Sequence, residues 1–182
     1  MQSALLIIDL QAGLFDQAGT PYDYENVIRN VNMLAEYARG KGFPVIFIQH
    51  EQPAGAQPGL QYASPGWQLV PELLRSHTDI CLRKTTPNAF VRTPLDNLLQ
   101  QHAVSSLIVC GYASEFCVDS TVRGAAALGY PVQIAADAHT THDKHHASAE
   151  LIRTHHNATL ANIVSFGVPI TAVATAEIIG RR

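Results

Sequence analysis

The chain is 182 residues long, 47 % hydrophobic and 15 % charged, with a formal net charge of −3. Such a composition supplies a full-sized globular core and excludes a disordered chain. No basic cluster offers nucleic acid an electrostatic footprint, and no apolar run approaches the ~20 residues of a membrane span.

Predicted strands and helices alternate along the chain. Ala4 to Asp9 is a short apolar run that ends in an acid. Between Tyr24 and Arg39, Val27, Val31, Leu34, Ala35 and Ala38 share one helical face, and Gly40-Lys41-Gly42 stops the helix. Pro44 to Gln49 reads as a second buried strand. Residues 51–66 are broken by Pro and Gly without periodicity, which predicts a long surface loop. Trp67 to Leu74 reads as a short helix and Thr78 to Arg83 as a third strand. Thr93 as N-cap, with Pro94 at the first helical position, opens the next helix. A fourth strand covers 105–110 and is ended by Gly111. The helix 115–128 follows, with Val118, Val122, Ala125 and Ala126 at helical spacing. Val132 to Ala136 is a fifth strand, Lys144 to His156 a helix, Asn162 to Phe166 a sixth strand, and a short helix lies near Ala172 to Ile179. Buried, non-alternating strands separated by helices predict a three-layer α/β/α, Rossmann-like single domain over 1–182, with a six-stranded parallel sheet.

The three cysteines, Cys81, Cys110 and Cys117, are an odd, low count that fits reduced thiols in a cytoplasmic protein. The N-terminus enters a strand by residue 4 with no charged n-region, so no signal peptide is expected. A low charge fraction leaves apolar surface to cover, which favours a homo-oligomer.

In a parallel sheet, ligands bind beyond the carboxyl ends of the strands. Asp9 terminates strand one, Lys84 follows strand three, and Cys117 stands where strand four turns into a helix. A thiol in a first helical turn faces unpaired N–H groups and the positive end of the dipole, which favours a thiolate near neutral pH. Taken singly, each residue has a plainer reading. Asp9 and Lys84 could be solvated strand ends, and Cys117 one more small buried residue. Together, at one sheet edge, they supply a nucleophile, a base and a cation.

The motifs resemble those of the isochorismatase-like cysteine hydrolases, which include nicotinamidases, N-carbamoylsarcosine amidase and ureidoacrylate amidohydrolase. The resemblance spans nearly the whole chain. It rests on Asp9-Leu10-Gln11 with Phe15, and on Lys84-Thr85-Thr86-Pro87-Asn88-Ala89-Phe90 with Thr93 and Leu95. It continues in Gly111-Tyr112-Ala113-Ser114-Glu115-Phe116-Cys117-Val118 with Thr121, Ala125 and Gly129. Asp137-Ala138-His139-Thr140-Thr141 and His155-His156-Asn157 are similar to a subset of these amidases. The resemblance implies a catalytic triad of Asp9, Lys84 and Cys117. It also implies a non-proline cis peptide joining Tyr112 to Ala113, and an oxyanion hole from the backbone N–H groups of Ala113 and Cys117.

The chain departs from the family in three places. Ser114 stands where the family commonly has Thr, so the hydroxyl is kept. Isochorismatases proper usually lack the motif cysteine, so Cys117 points to an amide or other C–N bond. The alternatives are an isochorismatase-type vinyl-ether hydrolase and a non-catalytic small-ligand-binding domain. Metal-dependent nicotinamidases carry Asp-x-His after strand two. Gln49-His50-Glu51-Gln52 does not match, so neither metal nor other cofactor is expected.

Gln11, Phe15, Trp67, Phe90, Tyr112, Phe116 and His139 are the expected substrate-binding residues, beside the loop 51–66. His139 reads equally as a substrate contact or a satisfied loop histidine. His142 and His146, one helical turn apart, could chelate zinc, but no further ligand is placed to complete a set, and they read as surface residues. Cys81 and Cys110 read as inert core thiols. Gly111 alone makes no phosphate loop. Arg83 and Arg92 are the only cations near this edge besides Lys84, and strand alternation turns Arg83 away, so neutral amides are expected over anionic ones.

Overall fold

The computed structural model describes residues 2–15, 19–52 and 59–180. Its elements in chain order are β1 (Ser3–Ile8), α1 (Tyr24–Gly40), β2 (Val45–His50), β3 (Ile80–Lys84), α2 (Leu95–Gln101), β4 (Ser106–Tyr112), α3 (Asp119–Ala127), β5 (Val132–Thr140), α4 (Ala149–Ala161), β6 (Ile170–Val173) and α5 (Thr175–Ile178). Short 3-10 turns cover Ala12–Leu14 and Pro65–Trp67, and a π-helical turn covers Ser114–Val118. The six strands form one sheet in the order β3-β2-β1-β4-β5-β6. Every neighbouring pair is parallel.

Both sheet faces are covered, which is why the strands show no polar alternation. Along β1, Ala4, Leu6 and Ile8 pack into one core with α2 and α3, while Leu5 and Ile7 pack into the other with α1. Helix α1 presents Val27, Ile28, Val31, Leu34, Ala35 and Ala38 to that second core.

Several boundaries differ from the sequence reading. Trp67 to Leu74 is not a helix. Past the turn Pro65–Trp67 the chain runs extended, and its backbone pairs with the stretch after β1, through Ala12 N–H to the Gln68 carbonyl and Val70 N–H to the Leu10 carbonyl. Pro71 would interrupt a helix there, and the buried side chains of Val70 and Leu73 hold the extended course. Asn162 to Phe166 is not a strand either. Helix α4 runs on to Ala161, Ile163 and Phe166 pack sideways onto the core, and Gly167 turns the chain before β6. Residues 144–148 lie outside α4, which begins only where the Ser148 hydroxyl accepts the Leu151 N–H. Pro94, not Thr93, is the N-cap of α2, which starts at Leu95, although the Thr93 hydroxyl accepts the Leu95 N–H at 3.2 Å.

Gly111 does not end β4. It sits inside the strand at φ +120°, where a Cβ would fall 2.1 Å from the Ile8 carbonyl oxygen. The chain needs glycine there to pass β1. Strand β5 runs four residues further than its apolar run. Its pairing with β4 slips between Val109↔Ile134 and Gly111↔His139, a bulge over 135–138 that carries His139 beside Gly111 and Thr140 beside Tyr112. Of the loop 51–66, residues 53–58 lie outside the described residues.

Candidate active site

The strand order reverses between β1 and β4, and the crevice there collects the carboxyl ends of four strands. Asp9 follows β1 directly, in the left-handed region at φ 49°, which aspartate tolerates better than most residues. Its N–H donates to the Ile48 carbonyl at 2.9 Å. Lys84 is the last residue of β3. Alternation along β3 buries Leu82 and Lys84 and exposes Cys81 and Arg83. Cys117 lies in the π-helical turn after β4. The peptide bond between Tyr112 and Ala113 is cis. Ala113 is extended and caps the turn, its carbonyl accepting from the N–H groups of Phe116 and Val118.

The Lys84 side chain is 0 % exposed, and its ammonium joins three groups. It donates to Asp9 Oδ2 at 2.6 Å, to His50 Nδ1 at 3.2 Å and to Cys117 Sγ at 3.2 Å. Three N–H bonds exhaust the ammonium, and its donation to Nδ1 places the neutral His50 proton on Nε2. Burial, and then the charge of Lys84, hold the His50 pKa below its ordinary value, against a smaller opposing pull from Asp9. His50 was not singled out from the sequence. Its position at the carboxyl end of β2 is the available sequence signal, although the segment lacks the Asp-x-His pattern.

Asp9 Oδ1 is buried and, among the described residues, has no hydrogen-bond partner within ordinary bonding geometry. Burial, reinforced by the Asp9 charge and opposed by Lys84, pushes the Cys117 thiol up to about 12. The sequence reading expects the helix turn to favour a thiolate; burial of the sulfur and the neighbouring Asp9 act in the opposite direction.

Asp9, His50 and Cys117 are the one group of three metal-ligating side chains found among the described residues, with ligand atoms within 4.8 Å of one another. The Lys84 ammonium already bonds all three, so this trio does not fit a metal as it stands. His142 and His146 do not lie on a helix together. His142 is turned inward, between the Tyr112 hydroxyl and the Gly19 carbonyl.

The other expected site residues separate into four groups. Phe15 and Tyr112 stack edge to face at 5.2 Å near the crevice, and Trp67 contacts Tyr62 at 5.0 Å. Trp67 also lines a cavity of about 870 Å³ with Gln49, Glu51, Arg83, Lys84 and Arg92. Phe90 stacks on Tyr130 and packs against the first core. Gln11 and His139 are fully buried and committed to internal bonds. Gln11 clamps β2 to the turn at Trp67: its amide donates to the His50 and Trp67 carbonyls and its oxygen accepts the His50 N–H. Phe116 is 55 % exposed and faces α4, across a groove that it shares with Lys144 and Leu151. Arg83 is held by Glu51 at 3.5 Å and lies over the Tyr62 ring. Cys110 is buried in the second core, whereas Cys81 is exposed at the sheet edge and accepts from Arg75.

This parallel sheet, with an acid, a lysine and a cysteine gathered at its switch point, defines an α/β protein of hydrolase-like architecture. The isochorismatase domain family matches residues 3–173, and the chain belongs to that family. Streptothricin hydrolase of Streptomyces noursei is 35 % identical over 77 % of this chain, and the match spans about half of that protein's length, 55 %. Ureidoacrylate amidohydrolase RutB of Klebsiella pneumoniae subsp. pneumoniae is 32 % identical over 91 % of this chain and 81 % of its own. The crystal structure of an isochorismatase family protein superposes with a TM-score of 0.85 at 35 % identity, covering 94 % of this chain and 98 % of that one.

Proposed function

We propose that the chain is a cysteine-dependent hydrolase of a small amide or related C–N bond. Asp9 accepts the thiol proton through its free oxygen, and Cys117 Sγ attacks the carbonyl carbon. The N–H groups of Ala113 and Cys117 hold the oxyanion. Collapse of the tetrahedral intermediate expels ammonia or an amine, which takes the proton back from Asp9, and leaves a thioester on Cys117. Water, giving a proton to Asp9, then hydrolyses the thioester to the free acid and restores the thiol. Lys84 offsets the charge of Asp9 and of the sulfur as it becomes anionic. The observation that carries this reading is one buried ammonium bonded to both carboxylate and sulfur, with the second carboxylate oxygen unengaged. The amidohydrolase and hydrolase names of the relatives support it.

The half-buried aromatic walls at Phe15, Trp67 and Tyr112 suit a planar or apolar body next to the scissile carbonyl. With Arg83 engaged by Glu51, a neutral acyl group is the reading over a free carboxylate. Three free cysteines suit a reducing compartment such as the cytoplasm. Exposed Phe116, Leu128 and Leu151 favour self-association, and light scattering should report more than the 19.7 kDa of one chain.

The test is ammonia or amine release from a panel of ureidoacrylate, streptothricin, nicotinamide and isochorismate, with Cys117→Ala and Cys117→Ser beside the parent. Both variants should lose at least ~10³-fold in kcat. Hydrolysis of an amide at the parental rate by Cys117→Ala would end this mechanism. Turnover of isochorismate alone, untouched by Cys117→Ala, would point to vinyl-ether chemistry instead. A chelator should leave the rate unchanged, because Lys84 supplies the cation of the site.

A further inference from the structure

The end of β5 grips the nucleophile segment at three successive points. The Tyr112 hydroxyl bonds His142 Nδ1 at 2.9 Å, Ser114 Oγ bonds His139 Nδ1 at 2.8 Å, and the Thr141 hydroxyl donates to Glu115 Oε1 at 2.8 Å. The middle contact is fully buried, with His139 1 % and Ser114 0 % exposed. Its polarity can be worked out. Asn157 spends its Nδ2 on the Ala136 carbonyl at 2.9 Å, so its Oδ1 faces His139 Nε2 at 2.9 Å as an acceptor. The imidazole proton therefore lies on Nε2, Nδ1 is a lone pair, and the Ser114 hydroxyl donates to it. The bulge over 135–138 delivers the ring to this place; without it, β5 would pair in another register.

Ser114 directly follows Ala113 and opens the turn that holds Cys117. We propose that His139 is a positioning residue: as a neutral acceptor oriented by Asn157, it fixes Ser114 and so the aim of the Ala113 N–H and of Cys117 Sγ. The inference rests on the reading of Cys117 as nucleophile. His139 touches neither the triad nor an open surface, so it acts through Ser114 alone. The charged and titratable groups that face it are Arg153 and His156 on α4 and Asp137 on its own strand. Burial, the largest influence, holds its pKa down to about 4, so the acceptor persists throughout the neutral range.

The test compares Ser114→Thr with Ser114→Val, which have the same shape and differ in the hydroxyl. Ammonia release is read from whichever panel amide the parent turns over fastest, with Cys117→Ala alongside. Ser114→Val should lower kcat ~10–100-fold with KM within about twofold, as expected for a nucleophile mis-aimed by a fraction of an ångström. Ser114→Thr should restore kcat to within about threefold of the parent. Asn157→Leu, which frees the imidazole to take its other tautomer, should give an intermediate loss with the same split. Parental kcat in Ser114→Val, equal losses in the Thr and Val variants, or failure of both to fold would overturn the proposal. If Cys117→Ala stays active, the reading of the nucleophile fails instead.

Discussion

Burial of Cys117 favours its protonated form, which bears on the nucleophilic role proposed for it. Burial pushes it up to about 12, with the Asp9 charge pushing the same way and Lys84 pulling down. In the proposed mechanism, attack is accordingly coupled to proton transfer from the thiol to Asp9 rather than drawn from a standing thiolate. Iodoacetamide should alkylate Cys117 slowly at pH 7 and faster with rising pH, with no plateau below about pH 10, read by mass spectrometry of the Cys117 peptide. Fast labelling below neutrality would contradict this. Lys84 is the second residue on which the site depends. Lys84→Met leaves the Asp9 carboxylate buried and uncompensated, which should cost about 3–5 kcal/mol in urea unfolding and abolish hydrolysis. A stable, active Lys84→Met protein would show that the ion pair matters little.

Among the elements, β4 and β5 shape the crevice more than their apolar runs suggest. Glycine at 111 lets β4 continue to Tyr112 in contact with Ile8, instead of stopping short. A methyl there meets backbone at 2.1 Å and demands a φ that alanine resists, so Gly111→Ala should destabilise by about 3 kcal/mol or more. A lowered urea midpoint at unchanged m-value would report it. Gly124 is tight for a softer reason: its neighbour is the Asn88 side chain at 2.5 Å, where α3 crosses the loop before α2. Side chains can yield where backbone cannot. Gly124→Ala should therefore cost less than Gly111→Ala in the same unfolding series.

For the whole molecule, pH stability reflects its buried ionisable groups. His139 has a folded pKa of about 4, against an ordinary 6.5, because burial disfavours the charged ring. The unfolded chain binds that proton first as pH falls. Stability from His139 is thus complete above pH 6.5 and is lost progressively between 6.5 and 4. His139→Gln should flatten that decline in thermal melts across pH 4 to 7, whatever it does to stability at pH 7. The sequence by itself determined the layered parallel sheet, because strands buried on both faces read as unbroken apolar runs such as Ala4 to Ile8, and α1 shows its apolar stripe. It also singled out Asp9, Lys84 and Cys117, since chemically distinctive residues at strand ends stand out against apolar runs. It could not show that Trp67 to Leu74 is not a helix and Asn162 to Phe166 not a strand, because apolar residues pack against a core equally well from a loop. Only the tertiary structure decided that His50 joins the lysine, that Gln11 and His139 make their bonds within the fold, that Phe116 faces α4, and that the Cys117 sulfur is largely buried. Those outcomes depend on which groups from distant strands share one desolvated space, and that is set by the sheet register and the β5 bulge, not by any local pattern of residues.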